Sequence, residues 1–379
     1  MGGIGGGLQV SRLVAILFSP FLLGKIGKKE YRYAKRFMVV FSLFYFYCLL
    51  SFLWTPDQEE AMKELLYYPV HFTLFMELIV FAKSAYNPLK SISRGWLTAV
   101  LLCSVVAYWE ITTDNHLSIA KEQDAFNTGT EIIEHMTASV TFGNYNSYVT
   151  FLCFCFPWIF FILLNRRSRL ESILSMGALI MASLTIVING SRGGILTVVM
   201  MISIYYAFSK KSLWKNLILI TSVMAIGYII INYGEGITAI IEAKTSDGEM
   251  FSDEARSAIW LRALGELADT WGFGVGIGGM NASLGIAAHN MFIEILLQYG
   301  IVIAIIVVLF FCNLFYQSRK KERNIKIVAM MALLPMPVYT IINSGYILNP
   351  HLYAFIATIY IYVNYEFIRY HNPSLREIA

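Results

Sequence analysis

The sequence is poor in charge. Aspartate, glutamate, lysine and arginine together make up 14% of its 379 residues, whereas hydrophobic residues make up 57%. Because a soluble globular domain has about 25% charged residues, this composition excludes an ordinary soluble fold. The mean hydropathy of +0.60 indicates a polytopic helical membrane protein instead. The net charge of +4 gives no reason to expect nucleic-acid binding, since the basic residues serve membrane topology.

Cysteine and metal-binding patterns are scarce as well. The five cysteines all lie inside hydrophobic segments, which excludes a disulfide framework or a zinc site and favours small core residues. The histidines show no metal-ligand spacing, so we expect neither a metal nor another cofactor. There is no internal repeat, low-complexity tract or evident cleavable signal peptide. We therefore expect residues 1–379 to form a single polytopic membrane domain.

Long hydrophobic runs fill most of the chain. We count eleven of them, and each is near the roughly 20 residues that cross a hydrocarbon core of about 30 Å. The prediction is an all-α membrane protein with about 11, or at most 12, transmembrane helices. The segments lie near residues 8–24, 37–54, 61–82, 95–112, 144–164, 172–188, 193–208, 216–233, 289–315, 326–344 and 351–368.

The basic residues set the orientation. One side of the alternating topology, together with the C-terminal tail, holds 22 of the 29 lysines and arginines. The positive-inside rule makes that side cytoplasmic, so we predict a cytoplasmic C-terminus. The longest polar interruption, residues 234–288, then forms a large loop on the periplasmic or extracellular side. Glu77 and Lys83 lie near the cytoplasmic end of their segment, where snorkelling to the surface is expected.

The large loop contains a predicted amphipathic helix. At 100° per residue, Arg256 shares the apolar face of the segment that starts at residue 255. An unpaired guanidinium on such a face is costly, so Arg256 is a candidate binding residue. The alternative is a snorkelling or ion-paired arginine. The other residues on this face are Ile259, Trp260, Ala263 and Leu267.

A glycine-rich passage follows the helix. Gly274, Gly276 and Gly279 match the dinucleotide pattern G-x-G-x-x-G literally. That fingerprint requires a strand before it and a helix after it in a βαβ unit. Here the neighbours are an outer loop and a membrane segment, which excludes a Rossmann site. We interpret the glycines as a tight, flexible backbone near a ligand.

Polar residues begin three hydrophobic segments on the outer side. These are Asn144 with Asn146, Arg192 after the N-cap candidate Ser191, and His289 with Asn290. A helix start attracts anions, and Arg192 adds a full positive charge there. The alternative for Arg192 is an interfacial charge that meets lipid headgroups. Glu294 and Gln298, one and two turns after Asn290, could line a cavity.

Several of these motifs, taken in order, resemble the O-antigen ligase and O-antigen polymerase family, over roughly residues 37–315. The resemblance implies an all-helical, GT-C-like glycosyltransferase that uses undecaprenyl-pyrophosphate-linked donors, without nucleotide sugars and without a metal. The motifs are Trp54-Thr-Pro-Asp57, Thr141-Phe-Gly-Asn144-Tyr-Asn146, Ser191-Arg192-Gly193, Arg256-x-x-x-Trp260, Gly274-Val-Gly-Ile-Gly and His289-Asn290-x-x-x-Glu294.

The resemblance also assigns roles to residues. The functional arginines of the family match Arg192 and Arg256, and its histidine matches His289. Guanidinium groups grip phosphate bidentately and would stabilise the leaving pyrophosphate. His289 would act as a general base for the acceptor hydroxyl or orient the acceptor. The expected substrate-binding residues are Arg192, Arg256, Asn290, Asn144, Asn146 and Glu294.

The function this implies is glycosyl transfer on the outer face of the bacterial inner membrane. A polymerase would join repeat units of O-antigen or capsule, whereas a ligase would move finished polysaccharide onto lipid A-core. A flippase or exporter of lipid-linked saccharides is an alternative of another class, but it should place charges deep along a membrane path. The expected partners are the lipid-linked donor, a saccharide or lipid A-core acceptor, membrane lipids, and a chain-length regulator or flippase.

Overall fold

The computed structural model describes residues 10–26, 28, 32–113, 115–117, 137–165, 168–208 and 253–366. Within these ranges every regular element is a helix, which confirms the all-α prediction. The helices are α1 (Val10–Ile26), α2 (Arg32–Ser51), α3 (Gln58–Ser84), α4 (Pro88–Thr113), α5 (Tyr145–Leu164), α6 (Arg169–Ile188), α7 (Arg192–Phe208), α8 (Asp253–Asp269), α9 (Met280–Leu284), α10 (Met291–Ser318), α11 (Arg323–Leu333), α12 (Met336–Tyr339), a 3₁₀ turn (Tyr346–Leu348) and α13 (Pro350–Val363).

Five of these helices are long and apolar enough to cross a membrane. They are α3, α4, α5, α6 and α10, with 20 to 28 residues each. The total of eleven or twelve spans stays a prediction. The segment predicted at 216–233 and the part of the outer loop at 234–252 lie outside the described residues.

The described residues fall into two compact units. The first contains residues 90–255 and 320–343, and the second contains residues 8–89, 256–319 and 344–379. In the first unit, α5 is apolar on every side, and 89% of its most apolar stretch is buried. A helix of that composition belongs inside a bundle, and α5 packs against α6, α7 and α11.

Polar side chains tie the loop before α5 to the ends of neighbouring helices in the first unit. The carboxylate of Glu110, which is fully buried, accepts the N–H groups of Ser139 and Val140 at 2.8 Å each. The side-chain amide of Asn189 accepts from the N–H of Ala138 and donates to its carbonyl. Satisfying these backbone groups allows a loop to be buried, and it fixes the approach to α5.

In the second unit, α3 is the central helix, and α1, α2 and α13 pack against it. Two charged residues of α3 differ from the prediction. Glu77 and Lys83 were expected to snorkel, but each is only 3% exposed. The prediction was wrong because α3 is surrounded by other helices at this level, so its charged side chains are enclosed by protein.

The glycine-rich passage is also different from the prediction. Residues 274–279 are buried, and their glycines allow close packing within the second unit. Gly274 has φ +85°, and a Cβ there would lie 2.7 Å from the N of Gly300. A Cβ on Gly276 would lie 2.7 Å from the carbonyl of Ser51. Protein backbone, and not a ligand, therefore requires these glycines.

Side chains from the α2–α3 corner hold the same passage. Trp54 Nε1 donates to the carbonyl of Gly274 at 3.1 Å, and Tyr47 Oη donates to that of Phe273 at 2.6 Å. The N–H of Ile277 donates to Ser51 Oγ at 3.2 Å. The Trp54 motif of the sequence therefore has a structural function, which is to anchor the glycine passage.

We expect Gly274→Ala to destabilise the protein strongly. The Cβ would collide with backbone atoms that cannot move aside, and positive φ alone costs a non-glycine residue roughly 1–2 kcal/mol. The measurement is the apparent Tm of the detergent-purified protein. Gly265→Ala in α8 is the matched control, since nothing lies within 4 Å of its Cβ position. An equal Tm for both variants would contradict this packing role.

The predicted membrane segment at 326–344 is interrupted. It contains α11, which has 11 residues, and the short α12. At 1.5 Å per residue, α11 alone does not span a core of about 30 Å. Pro335 lies between the two helices and accounts for the interruption. The segment predicted at 351–368 contains α13, which begins at Pro350 and has 14 residues, and residues 367 and 368 lie outside the described residues.

Candidate functional site

The predicted site residues divide between the two units. Asn144, Asn146 and Arg192 belong to the first unit, at the starts of α5 and α7. Arg256, His289, Asn290 and Glu294 belong to the second unit, on α8 and at the start of α10.

In the first unit, the starts of α5 and α7 are neighbours. A Cβ on Gly194 would lie 2.6 Å from Val149 Cγ1, so the two helices approach closely there. Ser191 Oγ accepts the N–H of Gly194 at 3.3 Å, which confirms the predicted N-cap. Arg192 follows it as the first residue of α7 and is exposed. This helix start therefore presents a guanidinium on the surface of the first unit.

Asn144 begins α5 as its N-cap. Its side-chain oxygen accepts the N–H of Asn146 at 2.6 Å. One turn further on, the Asn343 amide donates to Ser147 Oγ at 2.7 Å. The polar residues at this end of α5 thus organise the helix start, and Asn144 uses its oxygen for that purpose.

In the second unit, Arg256 and His289 lie close enough to interact electrostatically. Both side chains are partly buried. Among the described residues, Arg256 Nε and His289 Nδ1 are buried atoms without a hydrogen-bond partner. Buried polar atoms are nearly always satisfied in folded proteins, and leaving one unpaired costs about 1–3 kcal/mol. A bound polar ligand would satisfy both.

The backbone of His289 is strained. Its φ of +48° lies in the left-handed region, which costs a non-glycine residue roughly 1–3 kcal/mol and occurs mainly at functional sites. The environment also lowers the pKa of the imidazole, first through burial and second through the positive charge of Arg256. Both effects disfavour a second positive charge, so the neutral ring is favoured near neutral pH.

Two features hold the strained residue in place. Trp260 Nε1 donates to the carbonyl of Ala288 at 2.9 Å, directly before His289. The neighbouring side chains form an apolar cluster between α8, the glycine passage, α9 and α10, to which Ile259 also packs. Its buried members are Ala263, Val275, Met280, Leu284, Ala288 and Leu297.

We expect Trp260→Phe to reduce kcat with little change in KM. Phenylalanine keeps the apolar packing but loses the 2.9 Å hydrogen bond to Ala288 that fixes the backbone before His289. For a residue that takes part in a reaction, a displacement of about 1 Å can cost about 10²-fold in rate, and the sequence resemblance assigns such a role to His289. Steady-state kinetics and the Tm check this prediction. A lower Tm with unchanged kcat would show that Trp260 serves stability only.

Asn290 and Glu294, two of the predicted substrate-binding residues, make hydrogen bonds within the fold. Asn290 is the N-cap of α10, and its side-chain oxygen accepts the N–H groups of Phe292 and Ile293 at 2.9 and 3.3 Å. Glu294 is 1% exposed. Its two carboxylate oxygens accept the N–H groups of Gly345 and Tyr346. This bonding accounts for the buried carboxylate, so we leave Glu294 out of the proposed substrate contacts.

The sequence analysis missed another buried carboxylate of the second unit, Glu64. Glu64 Oε2 accepts hydrogen bonds from the hydroxyls of Tyr68 and Tyr299, the amide of Gln298 and the N–H of Gly278. Gln298 was expected to line a cavity, but it is 3% exposed and belongs to this cluster. The only sequence signal is the i, i+4 spacing of Glu64 and Tyr68 on α3, which is too common to identify a site.

Comparison with known proteins extends the interpretation. The O-antigen ligase family model matches residues 176–308, which include Arg192, Arg256 and His289. The teichuronic acid biosynthesis protein TuaE of Bacillus subtilis (strain 168) is 23% identical over 287 residues, or 71% of this chain. The chain spans 58% of the length of TuaE. The resemblance found in the sequence is thereby confirmed as a similarity: residues 176–308 of this chain are similar to the O-antigen ligase family.

Proposed function

We propose that this protein transfers a glycan from an undecaprenyl-pyrophosphate-linked donor to a saccharide acceptor at the outer face of the bacterial inner membrane. The observation that carries the proposal is the pair of unsatisfied buried groups on Arg256 and His289. One is a permanent cation and the other a ring that prefers to be neutral. A phosphate-binding group beside a proton acceptor is what such a transfer requires.

The proposed reaction forms one glycosidic bond and breaks one sugar–phosphate bond. The acceptor hydroxyl oxygen attacks the anomeric carbon of the donor, and the bond from that carbon to the pyrophosphate oxygen breaks. The electron pair of the broken bond stays on the pyrophosphate, where Arg256 stabilises the developing charge. The hydroxyl proton passes to the neutral ring of His289. The products are the extended glycan and undecaprenyl pyrophosphate.

Polymerisation of surface polysaccharide, either O-antigen or capsule, is the form of the reaction that we favour. Each polysaccharide locus generally requires its own polymerase. TuaE, the relative described above, is named for the biosynthesis of teichuronic acid. Ligation to lipid A-core is the second candidate, since the matching family model is described as an O-antigen ligase.

Reconstitution separates these functions. The purified protein is placed in liposomes with a synthetic undecaprenyl-pyrophosphate-linked repeat unit, either alone or with lipid A-core. A product ladder from the donor alone identifies a polymerase. Transfer that requires lipid A-core identifies a ligase. Transport of a fluorescent lipid-linked saccharide across the bilayer, without any new glycosidic bond, would identify a flippase and contradict the proposal.

The proposed topology has a direct test. We expect a cysteine at Ala282, an exposed residue of α9, to react with a membrane-impermeant thiol reagent on spheroplasts, whereas a cysteine at Lys320 reacts only after lysis. The reason is the excess of basic residues on the side that carries Lys320. Lys320 is exposed, so protection there would reflect the membrane and not burial. The parent protein, with its own five cysteines, gives the background. The reverse labelling pattern would invert the topology.

A further inference from the structure

The turn after α8 carries two large aromatic side chains that the described part of the protein leaves uncovered. Trp271 is 91% exposed and Phe273 is 64% exposed. These two residues, called the aromatic turn below, lie directly before the buried glycine passage. An exposed tryptophan adds little apolar burial to the folded state. Its side chain is therefore a candidate contact with something outside the chain.

The backbone of Trp271 is not one that a tryptophan favours. α8 ends in a Schellman motif, in which the N–H of Gly272 donates to the carbonyl of Leu267 at 2.9 Å and the N–H of Trp271 donates to that of Ala268 at 3.0 Å. Trp271 occupies the left-handed position of this motif, with φ +55°, where glycine is usual. A bulky residue there strains the backbone, and the exposed side chain gains little burial in return. Folding of the described residues does not account for a tryptophan at this position.

A close contact places the aromatic turn beside a membrane-spanning helix. The carbonyl of Gly272 accepts the N–H of Ile301 on α10 at 2.9 Å. A Cβ on Gly272 would lie 3.0 Å from Ile301 Cδ1. The aromatic turn is therefore fixed at the level of Gly300 and Ile301, where the backbone of α10 is non-helical.

The same level divides α10 into a covered part and an exposed part. From Met291 to Gly300 each residue of α10 is buried or half-buried, whereas Ile301 begins an uncharged stretch that continues to Ser318. At 1.5 Å per residue this stretch is about 27 Å long, close to the hydrocarbon thickness of about 30 Å. The aromatic turn thus lies where α10 enters the hydrocarbon. The large apolar side chains exposed along the stretch are Ile301, Val302, Ile305, Ile306, Val308, Leu309 and Tyr316.

Two more aromatic side chains lie beside the aromatic turn, at the end of α2. Tyr47 donates to the carbonyl of Phe273 and Trp54 donates to that of Gly274, and the Tyr47 and Trp54 rings are 6.2 Å apart. Tryptophan and tyrosine are enriched at the boundary between lipid headgroups and acyl chains, because their rings are apolar and their polar edges form hydrogen bonds. The composition of this region is typical of that boundary.

We propose that Trp271 and Phe273 insert into the interfacial layer of the bilayer and anchor the C-terminal end of α8 to the membrane surface. The last turn of α8 has no basic residue and ends at the exposed Asp269. Attraction to anionic headgroups, which requires clustered basic residues, therefore does not explain the contact. The partner is the boundary between headgroups and acyl chains, whatever the headgroup charge. This inference does not depend on the proposed glycosyl transfer.

Quenching of tryptophan fluorescence by brominated lipids tests the anchor. The full-length protein is placed in phosphatidylcholine liposomes that carry bromine either near the headgroup or near the end of the acyl chain. Trp271 is one of seven tryptophans, so its emission is taken as the difference between the wild type and Trp271→Asn. Asparagine tolerates a left-handed backbone, which preserves the turn. We expect strong quenching by bromine near the headgroup, weaker quenching by bromine near the chain end, and no change with added salt.

Two introduced tryptophans calibrate the depth. Leu309→Trp, in the exposed part of α10, should be quenched most by bromine near the chain end. Ala282→Trp, at an exposed residue of α9, should be quenched by neither lipid. A difference emission of Trp271 that follows the pattern of Ala282→Trp would overturn the inference. Quenching that disappears in concentrated salt would also overturn it, because it would indicate an electrostatic contact.

A stability measurement distinguishes an anchor from a packing residue. Because glycine is favoured at the left-handed position, Trp271→Gly should keep or raise the Tm of the detergent-purified protein. A lower Tm in this variant, together with an unquenched Trp271 in liposomes, would show that the side chain stabilises the fold instead of binding lipid, and would overturn the inference.

Discussion

Replacing Arg256 with alanine is expected to lower kcat by about 10²–10³-fold, which corresponds to about 3–4 kcal/mol of lost transition-state stabilisation for one preorganised donor. Its Nε is buried and has no hydrogen-bond partner within the described part of the chain. Removing it therefore breaks no hydrogen bond of that atom there. The measurement is the initial rate of glycan transfer in liposomes, with the amount of membrane-inserted protein as the reference.

Two further variants sharpen this result. Arg256→Lys should recover little activity, because an ammonium cannot make the bidentate phosphate contact. Arg262→Ala is the matched control on the same helix: its exposed side chain donates to the carbonyl of Ser283 at 2.9 Å. It should retain nearly all activity. Wild-type rates for Arg256→Lys would show that Arg256 acts only as a general positive charge. The family resemblance predicts that Arg192→Ala lowers activity as well.

Replacing His289 with asparagine is expected to lower kcat by about 10²–10⁴-fold, the usual contribution of a general base. Asparagine tolerates a φ of +48° better than alanine does, so the backbone should be preserved. It can donate and accept hydrogen bonds but cannot take up the proton. Donor affinity should stay nearly unchanged. Turnover near that of the wild type would leave His289 with an orienting role only.

The pH dependence gives an independent test of the same role. Burial and Arg256 lower the pKa of His289, so the neutral base persists below the ordinary imidazole pKa of about 6.5. Activity should fall on acidification, with an apparent pKa below that value. Arg256→Gln removes the neighbouring positive charge and should move the apparent pKa upward in the residual activity. An unchanged profile would show that the titrating group is not His289.

Much of the local structure follows from the sequence, because helix formation depends on neighbouring residues. Hydrophobic length and period placed α5, α6 and α10 within a few residues of their observed bounds. The predicted amphipathic helix is α8, and two residues of its predicted apolar face, Ala263 and Leu267, are buried. The order of the motifs around Arg192, Arg256 and His289 was enough to predict the similarity to the O-antigen ligase family.

Contacts between distant segments decided the rest. The chain pattern could not show that Gly274 faces the backbone of Gly300, or that Glu64 bonds to Tyr299 and Gly278. The hydropathy pattern also predicted residues 326–344 as a single span, because hydropathy measures apolar content and not the continuity of backbone hydrogen bonds.

By itself, then, the sequence determined an all-helical membrane protein, the polar residues that begin several of its helices, and its family resemblance. These three properties depend on amino-acid composition and on the spacing of residues along the chain, and both can be read from the sequence directly. The tertiary structure decided that Arg256 meets His289, that His289 is held at positive φ by Trp260, and that the turn at Trp271 lies beside Ile301 of α10. Each of these depends on which side chains are brought together from distant parts of the chain, and local sequence carries no record of that.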